Sequence, residues 1–271
     1  QFIIQDITKR KKTQKAIKEK SKILRRTNTK LEKEIKERKL IEEKLRKSNQ
    51  ELEQFAYVAS HDLQEPLRMV SSYVQLIERR YKDKLDKDGE DFIDFAVDGA
   101  KRMQNLINDL LLFSRIHTRG GEFKEIEMDE VVTRALENLR MFIDENNAKV
   151  IFDELPSIVA DKNQMVQLFQ NLIHNAIKFH GEKPPEVRIS YKKDKDKWFF
   201  SIKDNGIGID PKYFDRIFLI FQRLHKKGKY SGTGIGLSIC KRIVDRHGGK
   251  IWVESEGFGG STFRFSIPLL P

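Results

Sequence analysis

Apolar residues recur at alternating spacings of four and three through the first third of the chain: Leu52, Ala56, Ala59, Leu63, Pro66, Val70, Tyr73 and Ile77. That is the seam of a packed helix. With Ala56 at a and Ala59 at d, His61 falls at f, off the seam and facing solvent. The helix is expected to run to about Arg80, bent where Pro66 removes a backbone donor. Lys82 to Gly89 reads as a polar turn. The same spacing then returns at Phe92, Ala96, Gly99, Met103, Leu106, Leu110 and Phe113. Two such helices predict an antiparallel hairpin, and two hairpins complete a four-helix bundle, so a homodimer is expected.

Upstream, residues 9–50 lack Pro and Gly and are crowded with Lys, Glu, Arg, Leu and Ile, a helix-forming mixture. Extending the register backwards puts Leu24, Leu31, Arg38, Leu45 and Leu52 at d. It puts Asn28, Ile35, Glu42, Asn49 and Ala56 at a. Polar groups in both layers weaken a coiled coil while fixing its register. A marginal seam of this kind, continuous with the helix of His61, can pass a shift along to it. Before it, Phe2-Ile3-Ile4-Gln5-Asp6-Ile7-Thr8-Lys9-Arg10-Lys11 reads as the end of a strand followed by a helix start.

From Gly120 the pattern becomes an α/β alternation, with Gly120-Gly121 as the expected hinge. Strands are predicted at 123–127, 149–153, 157–160, 186–192, 197–203, 249–254 and 261–267, and helices at 129–145, 162–179 and 234–247. Three helices over one face of a mixed sheet make a two-layer sandwich. The fold class is thus α+β multidomain: coiled coil, helical hairpin, then sandwich.

Charge and composition remove some alternatives. The net charge of +11 suggests nucleic acid until it is located: residues 1–50 hold 18 Lys and Arg against 7 Asp and Glu, and the remainder holds 34 of each. The excess sits on one helical arm without interleaved aromatics to stack on bases, so a solvated surface is the better reading. No apolar run is long enough to span a bilayer. Cys240 is the only cysteine, which excludes an intrachain disulfide and suits a reducing, cytoplasmic compartment. The sequence opens at Gln1 without a methionine or a signal-like segment, which suggests a portion of something longer that segments outside it could anchor to a membrane.

Three segments of the second half carry phosphate chemistry. The helix Gln167 to Phe179 puts Asn171, Asn175 and Lys178 on one face at i, i+4, i+7. Amide oxygens suit a magnesium ion and a lysine suits a triphosphate. Asp204-Asn205-Gly206-Ile207-Gly208-Ile209 leaves a strand with two glycines where a nucleotide can approach the backbone. Gly232-Thr233-Gly234-Ile235-Gly236-Leu237 opens a helix whose free amides and positive dipole end can hold phosphate.

In this order, with the histidine segment Phe55 to Arg68, these motifs resemble the catalytic core of the sensor histidine kinases of two-component systems. The resemblance adds a phenylalanine box at Phe218 and Phe221 and covers about four-fifths of the chain. It implies a phosphoacceptor and dimerisation domain over 51–118 and an ATP-binding domain of the Bergerat/GHKL fold over 119–271. Residues 1–8 resemble the exit of a PAS sensor domain, followed by a signalling coiled coil over 9–50. By the same resemblance His61 is the phosphoacceptor, Asp62 takes its other ring proton, and Asn175 binds Mg2+ beside Asn171. Lys178 and Phe179 stand near the nucleotide, and Asp204 accepts from the adenine amino group with Gly206 and Gly208 shaping the pocket. Gly232, Thr233, Gly234, Gly236 and Leu237 form the triphosphate turn. Phe221, Arg223 and the segment Gln222 to Lys229 form a lid over ATP, in which His225 reads as a solvated residue. The implied activity is ATP-dependent autophosphorylation of His61, then transfer to an aspartate of a response-regulator receiver domain. Many relatives carry Thr or Asn four residues after the histidine; here Glu65 stands there. That argues against phosphatase activity, although a carboxylate can also position a water. ATP-hydrolysing relatives of the fold place a Glu base where this chain has Asn171, which disfavours a hydrolytic ATPase. A dimeric interaction module with a degenerate ATP site is disfavoured by the intact motifs.

Overall fold

A computed structural model describes residues 2–81, 84–118, 120–224, 232–255 and 259–269, and the chain divides into two units, residues 1–55 and 56–271. The described residues of the first unit are helical, the opening part of α1 (Phe2–Tyr81). Residues 2–8, expected to end a strand, are helical. A lone strand would leave its amides and carbonyls unpaired, whereas a helix satisfies them locally. Ion pairs at i, i+4 join Lys30 to Glu34, Lys33 to Glu37 and Lys47 to Glu51 at 3.9–4.0 Å on exposed surface. Each adds a few tenths of a kcal/mol, about 0.2–0.5. Leu24, Leu31, Ile35, Leu40, Ile41 and Leu45 are exposed on this stretch.

In the second unit the remainder of α1 pairs with α2 (Lys87–Thr118). α2 begins inside the expected turn because Asp86 caps it: its carboxylate accepts from Gly89 N at 2.8 Å and its carbonyl from Glu90 N at 3.1 Å. α1 continues helical through Pro66. The hairpin closes on a stripe one residue beyond the expected one. Ser60, Leu67, Val97, Ala100, Leu111 and Ser114 are buried, while Leu63, Val70, Tyr73, Ile77, Phe92 and Met103 are exposed. Gln64 Nε2 donates to Asn108 Oδ1 at 2.9 Å and Arg115 lies 4.8 Å over the Tyr57 ring, fixing the antiparallel register. Both stripes share the four-three spacing. Together they make an apolar face wider than one neighbour can cover.

The sandwich follows. Strands β2 (Lys149–Phe152), β4 (Glu186–Asp194), β5 (Lys197–Asp204), β7 (Thr262–Pro268) and β6 (Lys250–Glu254) form a five-stranded sheet in that order, parallel at β2–β4 and antiparallel elsewhere. β1 (Lys124–Glu127) and β3 (Ser157–Ala160), expected within one mixed sheet, form a separate antiparallel ribbon with Ile126 opposite Ile158. The expected helix at 129–145 is two, α3 (Met128–Asn138) and α4 (Arg140–Glu145). At the break, Leu139 has φ −100° and ψ 4°, its amide is shared between the carbonyls of Ala135 and Leu136, and its side chain is buried. Packing of that leucine holds the turn open.

α5 (Lys162–Lys178) is begun by Asp161, whose carboxylate accepts from Asn163 N and Gln164 N. It buries Met165, Leu168, Phe169, Leu172, Ile173, Ala176 and Ile177, one unbroken apolar face. α6 (Gly236–Arg246) buries Ile239, Cys240, Ile243 and Val244. Opposite them lie Val187, Ile189, Phe200, Ile202, Phe263, Phe265 and Ile267 from the inner face of the sheet. Phe169 meets Phe200 and Phe265 edge-on, and those two stack at 5.0 Å. Each of these side chains contributes about 2–3 kcal/mol by burial. Burial also pushes the Cys240 thiol up to about 12, leaving it unreactive.

Candidate active site

The expected site residues fall in two groups. On α1, His61 projects from the hairpin with about two-thirds of its side chain exposed, and Asp62 is as open. His61 Nδ1 lies 3.2 Å from Asp62 Oδ1. With Nδ1–H donating to the carboxylate, Nε2 carries the lone pair and faces water. Glu65, one helical turn on, is exposed as well.

The second group lies where α5, the end of β5 and the start of α6 meet. Asn171 is engaged at both ends of its amide: Oδ1 accepts from Gln167 Nε2 at 3.2 Å, and Nδ2 donates to Gly236 O at 3.4 Å. It ties α5 to the first residue of α6. Asn175 is one turn further along α5, half-buried, and its backbone carbonyl accepts from Phe179 N. Lys178 Nζ stands over the Phe179 ring at 4.6 Å and so near Gly232 that a Cβ there would come within 2.7 Å of it. Burial and the neighbouring Arg223 both push the Lys178 ammonium below its usual range. The carbonyl of Phe179 accepts from Ile207 N at 3.0 Å, which joins the end of α5 to the first glycine loop.

Asp204 ends β5 and is 7% exposed. Its Oδ1 takes the amides of Gly206 at 2.8 Å and Ser261 at 3.0 Å. Burial raises its carboxyl above the usual range, and those two amides partly oppose the rise. Gly206 is required by space: a Cβ would sit 2.5 Å from the Phe179 carbonyl oxygen. Gly208 follows at φ 73°. The second glycine loop turns through Gly232 at φ 142° and Gly234 at φ 77°, left-handed values that favour glycine. It packs on the backbone of Phe221 and Gln222, which a Gly234 Cβ would approach to 2.9–3.0 Å. Phe221 itself takes φ 63° and is exposed, while Phe218 is buried. Leu237 packs against the core beside the turn. The expected lid is described only through Leu224; His225 and the rest of it lie outside the described residues.

The structure therefore brings together Asn171, Lys178, Phe179, Asp204, Gly206, Phe221, Gly232, Thr233, Gly234 and Gly236, with Asn175 and Arg223 on the same elements. Among the described residues no hydrogen bond joins His61, Asp62 or Glu65 to them. Three participants were not expected from sequence. Ser261 helps hold Asp204, and Asp109 on α2 accepts from the Thr233 hydroxyl at 2.5 Å. Arg246 fastens the glycine pair expected to hinge: Nη2 donates to Gly121 O at 2.8 Å and Nη1 to Asp161 Oδ2 at 2.9 Å, while Gly121 N donates to the same carboxylate oxygen at 2.6 Å. The pair is clasped in this structure.

Residues 51–119 match the family described as "His Kinase A (phospho-acceptor) domain", and residues 160–271 match "Histidine kinase-, DNA gyrase B-, and HSP90-like ATPase". The chain belongs to the sensor histidine kinase family. The phytochrome-like protein Cph1 of Synechocystis sp. is 52% identical over 225 residues, which are 83% of this chain and 30% of that protein. The chain thus spans under a third of the length of that relative. Full-length ShkA, solved in complex with AMPPNP, shares 25% identity with a TM-score of 0.62, over 80% of this chain and 46% of that one. Histidine kinase ThkA, solved with the response regulator protein TrrA, shares the fold at a TM-score of 0.57 and 24% identity, over 83% of this chain and 65% of that one. No helix among the described residues is long and apolar enough to cross a membrane.

Proposed function

We propose that the chain binds ATP in its C-terminal sandwich, phosphorylates His61, and passes the phosphoryl group to an aspartate of a response-regulator receiver domain. The observation that carries this reading is the pairing, in one chain, of an exposed His61–Asp62 couple on a helical hairpin with a cluster of Asp204, Lys178 and two glycine loops. ShkA's solved complex with AMPPNP and ThkA's with a response regulator support the two halves of the proposal.

In the proposed reaction Nε2 of His61 attacks the γ-phosphorus in line; the N–P bond forms as the bond to the β,γ-bridging oxygen breaks, and ADP leaves with that electron pair. Asp62 holds the proton on Nδ1 and stabilises the imidazolium-like product. Asp204 Oδ2, the carboxylate oxygen away from the Gly206 and Ser261 amides, accepts from the adenine amino group. Lys178 and Arg223 face the phosphates, where an anion relieves their mutual repulsion. The α6 amides that follow Gly232-Thr233-Gly234 point their dipole at the same place. For magnesium the donor set fits at Asn175: Asn171 has its amide oxygen engaged, and Asn175 offers a neutral oxygen suited to a hard cation already surrounded by phosphate. When bound, the ion would neutralise phosphate charge.

The same reading includes a homodimer. Leu63, Val70, Tyr73 and Ile77, with Phe92 and Met103 of α2, are large apolar side chains left exposed at helical spacing, which supports an interface there. An upstream PAS-type sensor in the longer protein would act through residues 9–50. The test is incubation of the chain with γ-labelled ATP and magnesium. Acid-labile, alkali-stable label that is absent from His61→Gln is expected; label retained by that variant, or none despite ATP binding, overturns the proposal.

A further inference from the structure

The end of α2, from Asp109 to Ile116, lies on the sandwich along α6. At its far end Ile116 is buried in the core and its carbonyl accepts from Gln164 Nε2 at 2.9 Å. In the middle, the Phe113 ring lies 4.4 Å beneath the Arg242 guanidinium. At the near end, the Thr233 hydroxyl donates to Asp109 Oδ2 at 2.5 Å. Of these contacts, the third alone reaches the second glycine loop. Thr233 sits between its two left-handed glycines, and its hydroxyl oxygen also accepts from Ile235 N at 3.3 Å. Asp109 is half-buried; burial pushes its carboxyl up, and the Thr233 bond partly offsets this.

A carboxylate in this position has two consequences. It fastens α2 to the glycine turn, and it sets a negative charge beside the element read above as the triphosphate cradle. A triphosphate at that turn would compete for the Thr233 hydroxyl and repel Asp109 within a partly dehydrated site, where charges are weakly screened. We propose that Asp109 is a nucleotide-sensitive clasp: it holds the glycine turn against α2, and the arriving triphosphate opens it, loosening the hold of α2 on the sandwich. The proposal rests on the reading of Gly232 to Gly236 as the phosphate turn. Asp109 then positions the ATP-binding domain and takes no part in phosphoryl transfer. Adenosine, which has the base and ribose without the charge, leaves the clasp shut.

Asp109→Asn is isosteric, keeps an acceptor for Thr233 and removes the charge. Calorimetric titration of the wild-type chain and this variant with Mg-ATP, and separately with adenosine, reads the effect. The variant is expected to bind ATP about fivefold or more tightly and adenosine no differently. Hydrogen exchange over residues 106–116 should rise when ATP, but not adenosine, is added to wild type, and rise less in the variant. Thr233→Val, which removes the donor and keeps the charge, should raise that exchange without nucleotide. Wild type that binds ATP no better than adenosine overturns the phosphate-turn reading and the clasp with it. A preference for ATP that Asp109→Asn leaves unchanged, an equal gain for adenosine, or unaltered exchange in Thr233→Val overturns the clasp alone.

Discussion

Asp204→Asn should separate nucleotide recognition from stability. The buried carboxylate has two acceptor oxygens, and Oδ1 is occupied by the amides of Gly206 at 2.8 Å and Ser261 at 3.0 Å. Oδ2 is the oxygen proposed for the adenine amino group. A carboxamide has one acceptor. If its oxygen keeps the two amides, its NH2 faces the adenine amino group; if it turns over, it drives a donor against two buried amides. The first arrangement is favoured because it strains nothing until ligand arrives. Losing a hydrogen bond to a charged acceptor costs about 1.5–3 kcal/mol, and opposing two donors about 1–3 kcal/mol more. The expected loss of ATP affinity is therefore about 2.5–6 kcal/mol, on the order of 10²- to 10⁴-fold. The stability effect has the opposite sign. Burial raises the Asp204 carboxyl, so its contribution is greatest below the unfolded value near 3.8 and is lost as pH rises through the folded value. Burial disfavours the charged carboxylate, and a neutral Asn carries no charge for burial to oppose. Melting temperature at pH 7.5 should be equal or higher, and calorimetric ATP binding much weaker. A melting temperature lowered by about 2–4 °C, the mark of roughly 1 kcal/mol lost at this size, with ATP affinity within about threefold of wild type, would refute the reasoning.

His247 is buried, with Nδ1 donating to Ile243 O at 2.8 Å, Nε2 accepting from Asp161 N at 3.1 Å and the ring stacked on Phe123. Burial, aided by Arg246 and opposed by the Ile243 bond and Asp161, holds its pKa low, so its contribution is present above about 6.5 and lost as pH falls below it. Urea unfolding of wild type and His247→Gln at pH 7.5 and 5.5 should show their difference shrinking at the lower pH; a constant difference contradicts the assignment. Val70→Asp combined with Tyr73→Asp alters side chains that are exposed on the single chain. Light scattering should report a monomer with wild-type helicity, and a persisting dimer would move the interface elsewhere.

Much of this fold is legible because local signals agree with the tertiary result. Asp161 caps α5 and seven apolar residues at helical spacing lie on its one buried face, so residue pattern and packing coincide. The glycine loops are legible for a similar reason: Gly234 needs a left-handed backbone, and a doubly glycine-flanked turn before an apolar helix has few other uses. The hairpin shows where pattern alone fails. Its apolar face is wide enough to hold two four-three stripes, and nothing local says that Leu67 rather than Leu63 meets α2. Leu139 breaks a periodic helix by packing, without Gly or Pro. Asp109 reads as one more solvated carboxylate on α2, and only the approach of Thr233, 124 positions away, makes it part of the site.

The clasp of Arg246 on Gly121 bears on how the chain is digested. Glycine-rich joins between domains are the usual place for a protease to enter, because the backbone there opens at little cost. Here Gly121 has both its amide and its carbonyl bonded, and a side chain on Gly120 would overlap the Arg246 guanidinium. Cleavage at this join must wait for Arg246 and Asp161 to let go together. Its rate therefore counts how often the two halves of the second unit part company, so limited proteolysis becomes a clock for the motion that would carry a nucleotide to His61.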